Sequence, residues 1–261
     1  MKSVLITGAS SGLGKALALA YAAPGVCLFL SGRDCARLEQ TADACRRLGA
    51  EVSAQVIDVT QQQAMSDWIA ACDASAALDL VIANAGISGG TGGLSDAGGQ
   101  ATRTIFATNI DGVANTVLPA IACMRRHPPR RNAQGRIVRG QIVLMASLAG
   151  YRGMPSAPAY CASKAAVKVW GEGLRGQLAA DGIGVTVICP GFVKSRITAA
   201  NRFPMPFLME ASQAARLMRR GIEANRPRIA YPWPLAFMAW LTAALPPAWI
   251  DGLLSRLPAK E

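Results

Sequence analysis

Two residues four positions apart, Tyr160 and Lys164 in Tyr160-Cys161-Ala162-Ser163-Lys164, carry groups suited to proton transfer. A free phenol titrates near ~10, too high to exchange protons readily at neutral pH. On a helix a spacing of four brings both side chains to one face. There an ammonium stabilises the phenolate and lowers the phenol's pKa. Ser147, thirteen positions before Tyr160, adds a hydroxyl at the end of an apolar run. A second set of residues stands at the N-terminus: Thr7-Gly8-Ala9-Ser10-Ser11-Gly12-Leu13-Gly14, directly after the first apolar run. This is the place where a dinucleotide pyrophosphate meets the free N–H groups and positive end of a helix. Gly8 permits the tight turn, Gly12 lets backbone approach phosphate, and Gly14 allows close helix–strand packing. The spacing G-x-x-x-G-x-G departs from the G-x-G-x-x-G fingerprint, so the position after a strand carries the assignment. Ser10 and Ser11 add hydroxyl donors, and Leu13 belongs to the same turn. The second apolar run ends Leu30-Ser31-Gly32-Arg33, where an acid would bind a ribose 2′-hydroxyl and select NAD(H). Gly32 leaves room instead, and the Arg33 guanidinium suits a 2′-phosphate, so NADP(H) is preferred over NAD(H). Asp58, followed by Val59, offers a carboxylate to the adenine amino group.

These groups need a scaffold, and the chain alternates short apolar runs with helical patterns. Strands are predicted at 3–6, 26–30, 51–57, 78–83, 136–145 and 185–189, with 228–232 as a seventh. Helices are predicted over 12–23, 34–48, 60–72, 100–126 and 159–180. That order implies right-handed βαβ units and an α/β fold: a doubly wound parallel sheet, or Rossmann fold, of about seven strands with helices on both faces. The 261 residues read as one domain, with 192–261 as a variable substrate-binding and hydrophobic region.

Composition removes other chemistries. Seven spread cysteines with no C-x-x-C spacing read as reduced core residues, and the single histidine, His127, argues against a metal site or a Ser-His-Asp triad. The charge of +11 comes without aromatic-basic interleaving, so no nucleic-acid partner is expected. The N-terminus enters a strand without a signal core, which points to the cytoplasm. Residues 125–139 hold six arginines and read as an exposed basic loop, with an anionic partner or substrate as the sharper alternative. Residues 229–250 carry no charge and include Trp233, Trp240 and Trp249. Prolines at 232, 234, 246 and 247 bound a helix of about eleven residues, roughly half a hydrocarbon core, so a lid, a subunit interface or a membrane-surface contact fits better than a span. Such a contact over 229–254 would put the protein peripherally at the inner membrane face.

The motifs Thr7–Gly14, Asn84-Ala85-Gly86, Asn109, Ser147, Tyr160-Cys161-Ala162-Ser163-Lys164 and Pro190-Gly191 resemble, in order and spacing, the short-chain dehydrogenase/reductase family over about residues 1–200. The resemblance implies a hydride transfer between NADP(H) and a ketone or secondary alcohol, in a homodimer or homotetramer. It implies Tyr160 as general acid/base, Lys164 also binding the nicotinamide ribose, and Ser147 hydrogen-bonding the substrate oxygen. Asn109 then holds a water in a proton relay. Asn84, Ala85 and Gly86 lie beside the cofactor ribose, and after Pro190 and Gly191 the backbone of Val193 fixes the carboxamide. Ser195 stands where a threonine is common and adds a hydroxyl. Ala83 replaces a frequent asparagine, Met145-Ala146-Ser147 replaces a double serine, and the arginine-rich insertion is longer than usual. The apolar Met205, Phe207, Leu208 and Met209 favour a lipid-like small molecule, and the arginines an anionic one. The competing reading is a catalytically silent NADP(H)-binding sensor or interaction protein.

Overall fold

The computed structural model describes residues 1–88, 99–131, 135, 137–199, 201 and 203–254. Seven parallel strands form one sheet in the order β3-β2-β1-β4-β7-β8-β9. They are β1 (Ser3–Ile6), β2 (Cys27–Gly32), β3 (Glu51–Val56), β4 (Leu80–Ala83), β7 (Gly140–Met145), β8 (Ile183–Pro190) and β9 (Arg228–Tyr231). The central strands β1, β4 and β7 are buried along their whole length, as expected where helices cover both faces. Alternate residues of each strand then feed opposite cores. Leu5, Val81 and Ile142 meet helices α3 (Gln62–Ser75), α5 (Gly112–Arg126) and α6 (Pro158–Gln177). Val4, Ile6, Leu80 and Ile82 meet α1 (Gly12–Tyr21), α2 (Cys35–Arg47) and α8 (Ala211–Glu223). The strand order reverses between β1 and β4, so a crevice opens at their C-terminal ends.

Several elements depart from expectation. The helix foreseen over 100–126 is continuous but not uniform. Helix α4 (Gln100–Phe106) passes through a wide turn of π-helix, Ala107–Asp111, before α5. The fifth strand of the sheet begins at Gly140 rather than 136, because Ile137–Val138 (β6) pairs antiparallel with Arg130–Arg131 (β5) in a separate hairpin. Arg136 lies outside the described residues. The short helix α7 (Arg196–Ala199) and the amphipathic α8 were not foreseen.

The basic stretch is a hairpin pinned to the fold rather than a free loop. Arg125 pairs with Asp181 at 2.8 Å and Arg130 with Asp79 at 2.7 Å, while Arg139 donates to the carbonyls of His127 and Asp181. It sits before the first residue of β7, whose other end leads to Ser147. Six strand residues at about 3.3 Å each separate Arg130, Arg131 and Arg139 from the crevice, which removes these three as ligands of an anionic substrate bound there. His127 is buried in this corner, with Nε2 2.7 Å from Asp73 and Nδ1 3.1 Å from the Arg139 carbonyl. Five cysteines are buried as expected, whereas Cys35 is exposed on the first turn of α2.

The uncharged tail forms α9 (Trp233–Ala244), twelve residues that begin just after Pro232 and take Pro234 into the first turn, followed by α10 (Pro247–Leu254). Leu235, Ala236 and Ala239 lean on the core, but no residue of α9 is fully buried. Trp233, Phe237, Trp240 and Leu241 form the outward stripe, with Trp233 78% exposed. The run Gln100–Arg126 is long and apolar enough to cross a membrane, yet Val113, Val117, Ala120, Ile121 and Met124 are core residues.

Candidate active site

The crevice is a cleft of about 660 Å³ at the C-terminal ends of β1, β4, β7 and β8. One end is the glycine turn. Gly8 and Gly12 adopt φ of +68° and +54°, a left-handed backbone that side chains strain. Gly14 does not line the cleft. A Cβ there would lie 2.2 Å from the Gly8 carbonyl oxygen, so its lack of a side chain lets the helix close back onto the turn. Thr7 and Asn84 lock this turn to β4. The Thr7 hydroxyl accepts the Asn84 and Ala85 N–H groups, each at 3.1 Å, and the Asn84 amide donates to the carbonyls of Thr7 (2.9 Å) and Gly8 (3.3 Å). The Asn84 side chain is therefore a clamp, a role the sequence left open.

Ser10, Ser11, Gly12 and Leu13 line the cleft together with Arg33, Asp58, Val59, Ala85 and Gly86. Arg33 is exposed, with Nη1 3.8 Å from the Asp58 carboxylate. The other Asp58 oxygen caps Thr60 through its N–H and hydroxyl. Arg37 also lines this end. Its Nη2 pairs with Asp34 at 2.7 Å, and its Nε is buried without a partner. Positive turn ends, vacant Cβ positions and two guanidinium groups fit a dinucleotide carrying phosphate.

At the other end Ser147, Tyr160, Lys164, Pro190, Gly191, Val193 and Ser195 line the same cleft. Ser147 follows β7, and its hydroxyl accepts the Ala149 N–H at 3.1 Å. Tyr160 and Lys164 lie in the first turns of α6, with Nζ 5.8 Å from the phenol ring centre. The turn after Ser147 seats flush on that helix, because a Cβ on Gly150 would lie 2.7 Å from the Lys164 backbone. Ser195 caps α7 with Thr198, whose hydroxyl donates to Val193 O at 2.8 Å. Val193 itself is bridged to Met209.

The electrostatics correct one expectation. Burial pushes the Tyr160 phenol above its ordinary 10.0, and only a hydrogen bond with Ser147 pulls it down. The Lys164 ammonium donates to the Met145 carbonyl at 2.9 Å. Burial also presses Lys164 down from 10.5 to about 8. In this state the phenol is a proton carrier at neutral pH and the lysine largely charged.

Asn109 does not line the cleft; it lies behind it in the π turn, fully buried. Its amide accepts the Ile87 N–H at 2.8 Å and donates to Ile87 O and the Ser163 hydroxyl. Ser163 in turn donates to Tyr160 O at 2.8 Å. Gly86 leaves the space between Asn109 and Lys164 open, since a Cβ there would lie 3.1 Å from Oδ1 and 3.3 Å from Nζ. Thr7, Arg37, Ser163, Gly150 and the Met145 carbonyl were missed by sequence reasoning. Of these, Thr7 at the head of the glycine turn and Ser163 inside the Tyr–Lys motif carried a visible signal.

A profile of the short chain dehydrogenase family matches residues 2–204. An uncharacterized oxidoreductase of Myxococcus xanthus (strain DK1622) is 40% identical over 257 residues, 98% of this chain and 97% of its own. The probable oxidoreductase EphD of Mycobacterium tuberculosis is 34% identical over 204 residues, and the match covers 78% of this chain but only 33% of EphD. Among solved structures, a short-chain dehydrogenase from Sphingobium yanoikuyae in complex with NADPH is 25% identical, with a TM-score of 0.78 over 99% of this chain and 97% of that one.

Proposed function

The chain belongs to the short-chain dehydrogenase family, oxidoreductases that act on a CH–OH/C=O pair, and on that premise we propose that it is an NADP(H)-dependent reductase of ketones, with Tyr160 as the general acid. The observation that carries this reading is the sharing of one cleft by Ser147, Tyr160 and Lys164 at one end and the glycine turn and Arg33 at the other. When bound, the dinucleotide supplies the hydride for the carbonyl carbon. Ser147 holds the carbonyl oxygen, and the Tyr160 phenol, kept protonated by burial, donates its proton there. Lys164 holds positive charge beside the phenolate left behind and binds ribose hydroxyls, and Asn109 positions the path by which the proton is restored. The other cleft-lining residues, from Gly8 through Ser195, bind the cofactor, with Gly14 shaping the turn and Arg33 selecting the 2′-phosphate. Tyr160→Phe should abolish NADPH oxidation with a panel of ketones while NADPH still quenches tryptophan fluorescence. Retained turnover would remove the acid assignment. A wild type that binds NADPH but reduces no ketone would favour the silent sensor.

The apolar outward stripe of α9 starts beside the cleft, where Leu235 Cδ1 would lie 3.3 Å from a Cβ on Gly191. We read it as a contact with anionic lipid that delivers lipid-like substrates, from a cytoplasmic protein at the inner membrane face. A net charge of +11 draws the chain toward an anionic surface. Sedimentation with anionic liposomes should fall in a Trp233→Ser/Trp240→Ser variant; unchanged binding removes the contact. The exposed Leu118 of α5 and Val169 of α6 support instead the homo-oligomer interface, as a dimer or tetramer.

A further inference from the structure

A second concavity, of about 330 Å³, opens on the outer face of α8, away from the cleft. Gln213, Arg216, Leu217 and Arg220 line it at the spacing that forms one helical stripe, and Arg226 faces them from the turn before β9. The opposite face of α8 is spent on the core through Ala214, Ala215, Met218 and Ile222. Ile229 forms the floor, and it reaches the helix only because residue 221 is glycine: a Cβ there would lie 2.4 Å from Ile229 Cδ1.

The three guanidinium groups are exposed, and among the described residues none has an acid or other side-chain partner. The acceptors near α8 are committed elsewhere. Glu223 takes Arg219 at 2.7 Å, Glu210 takes Lys194, and the Asn225 amide oxygen takes Arg175 at 3.0 Å. Arg219 itself turns away to lie over the Tyr21 ring at 5.2 Å. This contrasts with the basic hairpin, where Arg125 and Arg130 each hold a carboxylate. Three like charges around one hollow, with no internal counter-ion, make a site for an anion.

We propose that this groove binds a small organic phosphate at a site separate from the cofactor cleft. Guanidinium forks match phosphate oxygens in pairs, and more than one fork is needed to neutralise a dianion. The Gln213 amide adds a neutral donor, and Leu217 with Ile229 gives an apolar seat for the organic part. The volume falls at the small end of ligand sites, roughly 300–1,000 Å³, which favours a molecule of one ring and one phosphate over a macromolecular surface.

The test is calorimetric titration of phenyl phosphate into the full chain, with the main cleft first filled by NADPH or, if that binds poorly, NADH. Binding of one molecule per chain is expected. Arg216→Gln/Arg220→Gln should weaken it at least about tenfold, as loss of charge-assisted hydrogen bonds predicts, with thermal unfolding of the free variant unchanged. Arg33→Ala should leave it intact. Should the double variant fold poorly, Arg226→Gln is read in its place with the same expectation. No binding by wild type at millimolar ligand, equal binding by the arginine variants, or loss of binding with Arg33→Ala would each overturn the proposal. Inorganic phosphate binding as tightly as phenyl phosphate would overturn the organic part.

Discussion

Replacing Lys164 by methionine removes a buried ammonium, and the pH dependence of stability should show it. Burial lowers the lysine from 10.5, its ordinary value, to about 8 in the folded cofactor-free chain. Below about 8 both states carry the proton, so the cost of burying the charge is constant. Between about 8 and 10.5 the unfolded chain still binds the proton while the folded chain has released it, so stability rises with pH through that window. At 1.36 kcal/mol per unit the full rise amounts to about 3 kcal/mol. Cysteines work the other way. Burial raises Cys45 and Cys189 to about 11 and Cys72 to about 12, so above their ordinary 9.0 the unfolded thiols lose protons that the folded ones keep. Wild-type stability alone therefore hides the lysine, and the difference between wild type and Lys164→Met isolates it. Urea unfolding followed by tryptophan fluorescence, without cofactor, should show the variant losing about 3 kcal/mol relative to wild type between pH 7 and 10.5. A difference that stays flat across that range would refute the burial argument for Lys164, and with it the description of the charged state of the cleft.

Gly14→Ala forces a methyl to within 2.2 Å of Gly8 O and 2.6 Å of the Asn84 amide nitrogen. Overpacking of this kind costs about 1–3 kcal/mol, or about 2–4 °C in melting temperature per kcal/mol at this chain length, and dinucleotide affinity should fall with it. A variant melting with wild type would show that the turn has slack. Arg33→Ala should raise the Kd for NADPH about tenfold more than that for NADH, measured by fluorescence titration, and equal losses would count against a 2′-phosphate contact.

How far the sequence reached is clearest strand by strand. Runs such as Val4-Leu5-Ile6 and Leu80-Val81-Ile82 were legible because strands buried on both faces must be apolar at every position. The cleft residues were legible because their spacing is short-range: a turn of eight residues and a pair four apart. What escaped depends on distance along the chain. Arg125 and Arg130 look like a free basic patch until Asp181 and Asp79 arrive from 56 and 51 residues away. His127 looked peripheral for the same reason, with Asp73 54 residues off. The Met145 carbonyl that claims Lys164 is backbone and leaves no mark in residue types. Helix α8 is legible in the spacing of Ala214, Ala215, Met218 and Ile222, but two of these four core positions are alanines, so its apolar stripe is weak in the sequence.

The wide turn at Ala107–Asp111 holds one residue more than regular α-helical winding would need. That extra residue works as a phase shifter between α4 and α5. Deleting a single position there would let the hydrogen-bond ladder run unbroken, and the helix would be locally better formed. Yet everything on its N-terminal side would rotate by about 100° about the axis, swinging the carboxamide now seated between Ile87 and Ser163 out of line. The defect in the helix is thus what sets the compass bearing of Asn109, and a repair that improves the local geometry would disconnect it from the lysine.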